Sequence, residues 1–247
     1  IPFVTVFVGM LFIYKSSFFK LLYGNSIYGV AYIVTFSITN ITFVLSIQNT
    51  NVANTLVMIA LAPMLSAIFG AIFLKEKPDR NTLVAIAITF LSVLYIFYDS
   101  VKLGNIFGDI LGFITACGLA AGATIIRAGK SLNLVPSAVV GKLVVALVAL
   151  FFIDTFELKD NDIYIIPAMC ILCVAIPFVL VTLAPRYITG AEVNLFFLME
   201  TVLGPIWVWM VVKEQPSMET IQGGVVIILT IAIHSFLAIK KTQTKTT

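Results

Sequence analysis

Charge is what this chain has least of. Only 11% of its 247 residues are Asp, Glu, Lys or Arg, whereas a soluble domain carries about 25%. It holds one histidine and three cysteines. No glycine-rich phosphate loop, no Ser/His/Asp set and no paired carboxylates stand at catalytic spacing, so an intramembrane enzyme has little to work with. Without a nucleotide-binding motif, any transport is secondary and driven by a gradient. Cys170 and Cys173 form a C-x-x-C string inside an apolar stretch. No second pair and no nearby His accompanies it, so these thiols and Cys117 read as small packing residues, and neither cofactor nor metal is expected.

What the chain does have is length in apolar runs. It is 60% hydrophobic with a mean hydropathy of +1.09. A helix needs about 20 such residues to cross a bilayer. Nine segments qualify or nearly do: 1–14, 26–47, 52–74, 81–98, 108–127, 135–153, 164–186, 190–212 and 218–239. The runs are continuously apolar, whereas barrel strands alternate, so an all-α integral membrane fold is expected.

The net charge of +3 is uneven. If the loops alternate sides, the side of the C-terminus holds Lys15, Lys20, Lys75, Lys77, Arg80, Arg127, Lys130, Arg186, Lys240, Lys241 and Lys245. The other side holds Lys102, Lys159 and Lys213. This bias places the C-terminus in the cytoplasm of a multi-pass protein of the inner (plasma) membrane. The basic balance then concerns orientation, and no nucleic-acid partner is expected. Most acids, Asp99 and Asp109 among them, fall on the outer side of this scheme.

Residues 50–98 and 188–236 share one layout. A shift of 138 superimposes Lys75-Glu76-Lys77-Pro78 on Lys213-Glu214-Gln215-Pro216, and Thr82 on Thr220, without a gap. About eight of 49 positions are identical. Each copy reads as a polar start, a long apolar helix, a charged turn with proline, and a second apolar helix. The copies lie five helices apart, an odd number, so the second is upside down relative to the first. Such inverted repeats recur in secondary transporters. Units of five also imply ten helices, with nine present here and the first missing. The short first segment and the charge count lead to the same expectation, and a signal peptide fits less well because no basic region precedes that segment. The repeats are placed at 1–98 and 108–239.

The segments "PMLSAIFGAIFLKEKPDRNT" (63–82), "GDIL" (108–111) and "ETVLGPIWVWMVVKEQPS" (200–217) resemble the EamA domain of the drug/metabolite transporter superfamily, and the resemblance covers nearly the whole chain. It implies ten helices in two inverted repeats, both termini cytoplasmic, and movement of small metabolites, often outward. Relatives often carry Gly before the Glu at the helix end, where this chain has Lys75 and Lys213.

Glu200 is the sharpest candidate, because a carboxylate mid-way along an apolar helix is costly and usually functional. Its counterpart in the first copy is Ala62. Phe196, Phe197, Gly204 and Trp207 share its face at helical spacing. Recognition of a substrate amine or coupling to a proton is the functional reading. The alternative is a protonated Glu bonded to a neighbouring helix beside the Pro205 break. Asn51 and Asn54 at one helix start, and Thr189, Glu192 and Asn194 at the equivalent start, read as gate or substrate contacts, or else as caps. Asn54 and Asn194 lie deepest. Arg127 and Lys142 read as snorkelling cations near helix ends, and His234 lies on a helix that is peripheral in the family. Gly108, Gly112, Gly118 and Gly122 predict close helix packing, and Pro63, Pro167, Pro177 and Pro205 predict interrupted helices.

The function expected is thus a secondary transporter of an amino acid, amine or drug-like solute, exporting it by alternating access. A membrane scaffold is the alternative. The partners expected are a small-molecule substrate and the lipid bilayer, with a homodimer left open.

Overall fold

The computed structural model describes residues 2–15, 17–152, 161–177, 180, 203–204, 206–213 and 216–243. Every regular element among them is helical. In chain order these are α1 (Pro2–Tyr14), α2 (Ser17–Gly24), α3 (Ser26–Asn49), α4 (Val52–Ile59), α5 (Ala62–Phe73), α6 (Arg80–Leu103), α7 (Ile106–Ala128), α8 (Val135–Leu150), α9 (Asp162–Met169) and α10 (Met218–Gln243). Two π-helical stretches, Cys170–Ala175 and Val208–Val212, complete them. Five spans are long and apolar enough to cross a membrane: Ser26–Asn49, Val52–Phe73, Arg80–Asp99, Ile106–Ala128 and Met218–Leu237. Val135–Leu150 and Asp162–Ala175 are shorter apolar helices. Large apolar side chains such as Phe90, Leu91, Phe107 and Leu229 are exposed. A soluble protein rarely shows so much apolar surface, and lipid accommodates it. This is a multi-pass membrane protein.

The interruptions have local causes. Pro63 has no N–H to offer the carbonyl of Ile59, and the chain tightens there, with Leu61 N–H on Met58 O at 3.1 Å. One expected segment, 52–74, is therefore two helices, α4 and α5. Residues 15–25 hold a further helix, α2, bent 102° from α1, with Lys15 in the left-handed region at φ 49°. Pro167 lies inside α9, and the hydrogen bonding slips to the wider π register three residues on. The three cysteines are free thiols.

The chain clusters into two compact units. One comprises 1–37 with 125–193, the other 38–124 with 194–247. In the first, Val6, Met10, Phe18, Val139 and Ala175 form the core, and Phe7 meets Phe18 edge-on at 5.5 Å. Buried Asn25 ties α2 to the start of α8, its Nδ2 donating to Asn133 O at 2.8 Å and Ser137 Oγ at 3.2 Å.

In the second unit, Met58, Met64, Val93, Ile96, Ala116, Ile227 and Ile231 lead the core. Here the glycines of α7 lie against α3. A Cβ at Gly112 would stand 3.0 Å from Ser46 Oγ, and one at Gly118 would collide with Thr39. Between them, Thr42 and Thr115 hydroxyls meet at 2.8 Å. Numbers rise on α7 as they fall on α3, so the two helices are antiparallel, and the close packing expected from the glycine spacing is present.

The second unit also joins the final helices of the two sequence copies. Thr82, early in α6, meets His234, late in α10, at 2.9 Å. Tyr95, late in α6, meets Gln222, early in α10, at 3.0 Å. The pair is antiparallel. The equivalent turns also share a conformation, with Lys75 at φ 56° and Lys213 at φ 58°. After each turn the same local cap forms. Thr82 N–H donates to Asp79 Oδ1 at 3.0 Å, and Thr220 N–H to Ser217 Oγ at 3.2 Å. Asp79 and Ser217 are themselves 138 residues apart. So a correspondence carried by few identical letters extends to the backbone of the turn and the cap that follows it.

Candidate functional site

Three helix starts converge in the second unit. Asn54 stands in the first turn of α4, Asp109 in that of α7 and Thr220 in that of α10. All three are buried, Asp109 completely. Asn54 Nδ2 donates to both carboxylate oxygens of Asp109, at 3.3 and 3.2 Å, and Thr50 Oγ1 donates to Oδ1. Thr220 Oγ1 donates to Asn54 Oδ1 at 2.7 Å. Ser217 Oγ lies 3.0 Å from Thr220 Oγ1 and completes the row.

Donation along this row runs one way, from Ser217 through Thr220 and Asn54 to Asp109. With Asn54 Nδ2 on the carboxylate, its Oδ1 is left to accept from the Thr220 hydroxyl. Alongside, Ser46 Oγ meets Thr55 Oγ1 at 2.7 Å and donates to Gly108 O at 2.8 Å. The arrangement can lock three helix ends together. While it is closed, its polar atoms are committed to one another.

A related network lies at the opposite end of the α6–α10 pair. Thr82 Oγ1 donates to Asp79 Oδ1 at 2.7 Å, so it accepts from His234 Nε2. That contact requires the proton on Nε2 if the imidazole is neutral.

Of the residues singled out from sequence, Asn54 is at the centre of the first network. Trp207 is 60% exposed and directly precedes the π-helical stretch. Gly204 turns towards α4, where a Cβ would stand 3.2 Å from Leu56 Cδ1. Glu200, Asn194, Phe196 and Phe197 lie outside the described residues, as do Thr189, Glu192 and Pro205. Asp109 and Thr220 were not read as site residues. The sequence reading counts Asp109 only among the acids of the outer side. The usable signal was its place in "GDIL" after Gly108, since the glycine lets α7 press against Asn49 and Thr50. Thr220 was visible only as the counterpart of Thr82. Asp99, also assigned to the outer side, is buried, and among the described residues its Oδ2 has no hydrogen-bond partner.

Lys142, read from the sequence as a snorkelling cation, lies on α8. Its Nζ stands over the ring of Phe36, 5.5 Å from the centroid.

Compared with known proteins, residues 1–98 match the EamA-like transporter family. No curated protein and no solved structure matches the chain.

Proposed function

We propose, taking residues 1–98 as an EamA-like transporter segment, that this membrane transporter is a secondary exporter of a small metabolite. The family match carries the reading. The apolar spans agree with it, and the antiparallel packing of α6 on α10 is the relation two inverted repeats require of equivalent helices. In this reading 1–98 and 108–239 are the two repeats, and alternating access exchanges their packings. The C-terminus is cytoplasmic in the inner (plasma) membrane. Glu200 contacts substrate or a coupling proton, with Phe196, Phe197, Trp207 and Asn194 along the path.

The role proposed for Asn54 is narrower than substrate contact. Its amide is held by Asp109 and Thr220, so it acts as a gate latch whose bonds break when that end opens.

The test is uptake into proteoliposomes across a panel of amino acids, amines and nucleotides, with and without a pH gradient. Wild type is compared with Glu200→Gln. At least one solute should be carried by wild type, and the variant should carry it tenfold more slowly or worse. Unchanged transport in the variant would remove Glu200 from the site. A wild type that carries nothing in the panel would count against transport of these solute classes.

A further inference from the structure

We infer that the turn between α5 and α6, together with the projecting end of α10, is a docking surface for the headgroup of an anionic phospholipid. The inference goes beyond the transport reading and does not depend on what is carried.

The sequence repeat supplies an internal control. The turns at Lys75 and Lys213 each carry a left-handed lysine and the same cap after it, yet their charges differ. Lys77 and Arg80 of the first copy correspond to Gln215 and Met218 of the second. The left-handed lysine and the cap therefore form without either cation. Arg80 is also poorly placed for its own helix. It opens α6, whose first turn holds no acid, and a cation at the positive end of a helix is unfavourable. In the same turn α10 has Glu219. The Asp79 carboxylate at the α6 cap offsets part of this, and it is itself turned to the N–H and hydroxyl of Thr82. Neither the turn nor the helix accounts for these two cations.

Placement brings further positive charge to the same end. Lys75, Lys77 and Arg80 are exposed. Their turn lies between the spans Val52–Phe73 and Arg80–Asp99, so it stands at a membrane surface. Thr82 meets His234 at 2.9 Å, and from His234 α10 runs on to Gln243, about 13 Å at helical rise. By contrast, α6 begins at Arg80, just before Thr82. Lys240 and Lys241 thus lie on an overhang of α10, past the end of its Met218–Leu237 span. Five cations gather here against Glu76 and Asp79, whereas the equivalent turn of the second copy has Lys213 against Glu214 and Glu219.

The apolar surroundings identify the ligand. Ile72 and Phe73 end α5 directly before the turn, and Leu83 and Val84 follow Arg80 on α6. All four are exposed, as is Phe236 on α10. Lipid chains cover such side chains, and the cations stand where those chains meet their headgroups. Basic residues beside a membrane span attract anionic lipid. The phosphate can then meet Lys75, Lys77 and Arg80 while an acyl chain lies on Ile72 and Phe73. A soluble phosphate or a nucleic acid would use the charge and leave the apolar rim bare.

The test titrates purified full chain in detergent with dioleoylphosphatidylglycerol, or with the phosphatidylcholine of the same chains, and counts bound lipid by native mass spectrometry. In detergent the result does not depend on orientation in the membrane. Wild type should prefer the anionic lipid by about tenfold or more. Lys77→Gln/Arg80→Met, which copies the second turn, should weaken phosphatidylglycerol binding about fivefold for each charge removed. Its phosphatidylcholine binding should stay as it was. Lys77→Arg/Arg80→Lys should keep the preference. Lys240→Gln/Lys241→Gln, outside the turn, should lower it. The thermal midpoint of each variant in detergent checks its fold. No preference in wild type, or an equal preference in wild type and both neutral variants, overturns the inference. So does displacement of the lipid at constant ionic strength by inorganic phosphate or a short oligonucleotide, which would make this a site for soluble anions.

Discussion

A buried polar group is tolerated where hydrogen bonds satisfy it, and the Asp109 carboxylate accepts from Thr50 and Asn54. Asp109→Asn keeps the shape but brings an NH2 group towards side chains that donate. It should lower stability by about 1–3 kcal/mol, and Asp109→Ala should do at least as much harm. Thermal unfolding in detergent checks both, and an unchanged midpoint for both would mean the network adds no stability. The left-handed lysines make the opposite case. An L-residue in that region is strained by about 1 kcal/mol, which glycine escapes. Lys75→Gly and Lys213→Gly should each stabilise the protein by a few tenths up to about 1 kcal/mol, and the gains should add because the turns are distinct. The sequence already hinted at this, since relatives often have Gly at these positions. What it could not show was the backbone φ of 56° and 58° that explains the preference.

At the scale of elements, hydropathy located the long spans well. The expected 26–47, 108–127 and 218–239 are helices Ser26–Asn49, Ile106–Ala128 and Met218–Gln243. It could not see α2, because eight residues are too few to cross a membrane and their packing, with Phe18 buried, depends on residues distant in sequence. Asp109 was hidden for a related reason. Whether a helix start faces water or another helix start is decided by which elements meet, and a one-dimensional pattern does not contain that. Asn54 was legible because its depth along one helix was enough to single it out. The register of α6 on α10 is open to direct test. In a variant lacking the three native cysteines, the pairs Thr82→Cys/His234→Cys and Tyr95→Cys/Gln222→Cys should cross-link under mild oxidation. Thr82→Cys/Gln222→Cys should not, since twelve residues of helix, about 18 Å, separate its ends. Cross-linking of the third pair with failure of the first two would reverse the packing. In the same interface a Cβ at Gly223 would stand 2.7 Å from Ile96. Gly223→Ala should therefore destabilise, and Ile96→Val should recover part of the loss.

For the whole molecule, orientation and substrate charge together determine the energetics. The proposed cytoplasmic C-terminus rests on eleven cations on its side against three on the other, if the loops alternate. A single cysteine introduced at Thr246 should then be protected from an impermeant thiol reagent in intact cells, and one at Gly104 should be labelled. The reverse pattern would invert the assignment. In the proposed orientation the cytoplasm is the electrically negative side, so a monoanionic solute would be drawn outward. Each 100 mV contributes about 2.3 kcal/mol to its exit, enough to hold a gradient of roughly fiftyfold, since 1.36 kcal/mol is a factor of ten. Export of such a solute would need no coupling ion. Imposing a potassium diffusion potential on proteoliposomes should drive a labelled solute of this kind towards the positive side, and collapsing the potential should abolish the net movement. Transport that ignores the potential but follows a pH gradient would mean that a proton travels with the anion. In that case the acid at Glu200, rather than the field across the membrane, would set the direction of transport.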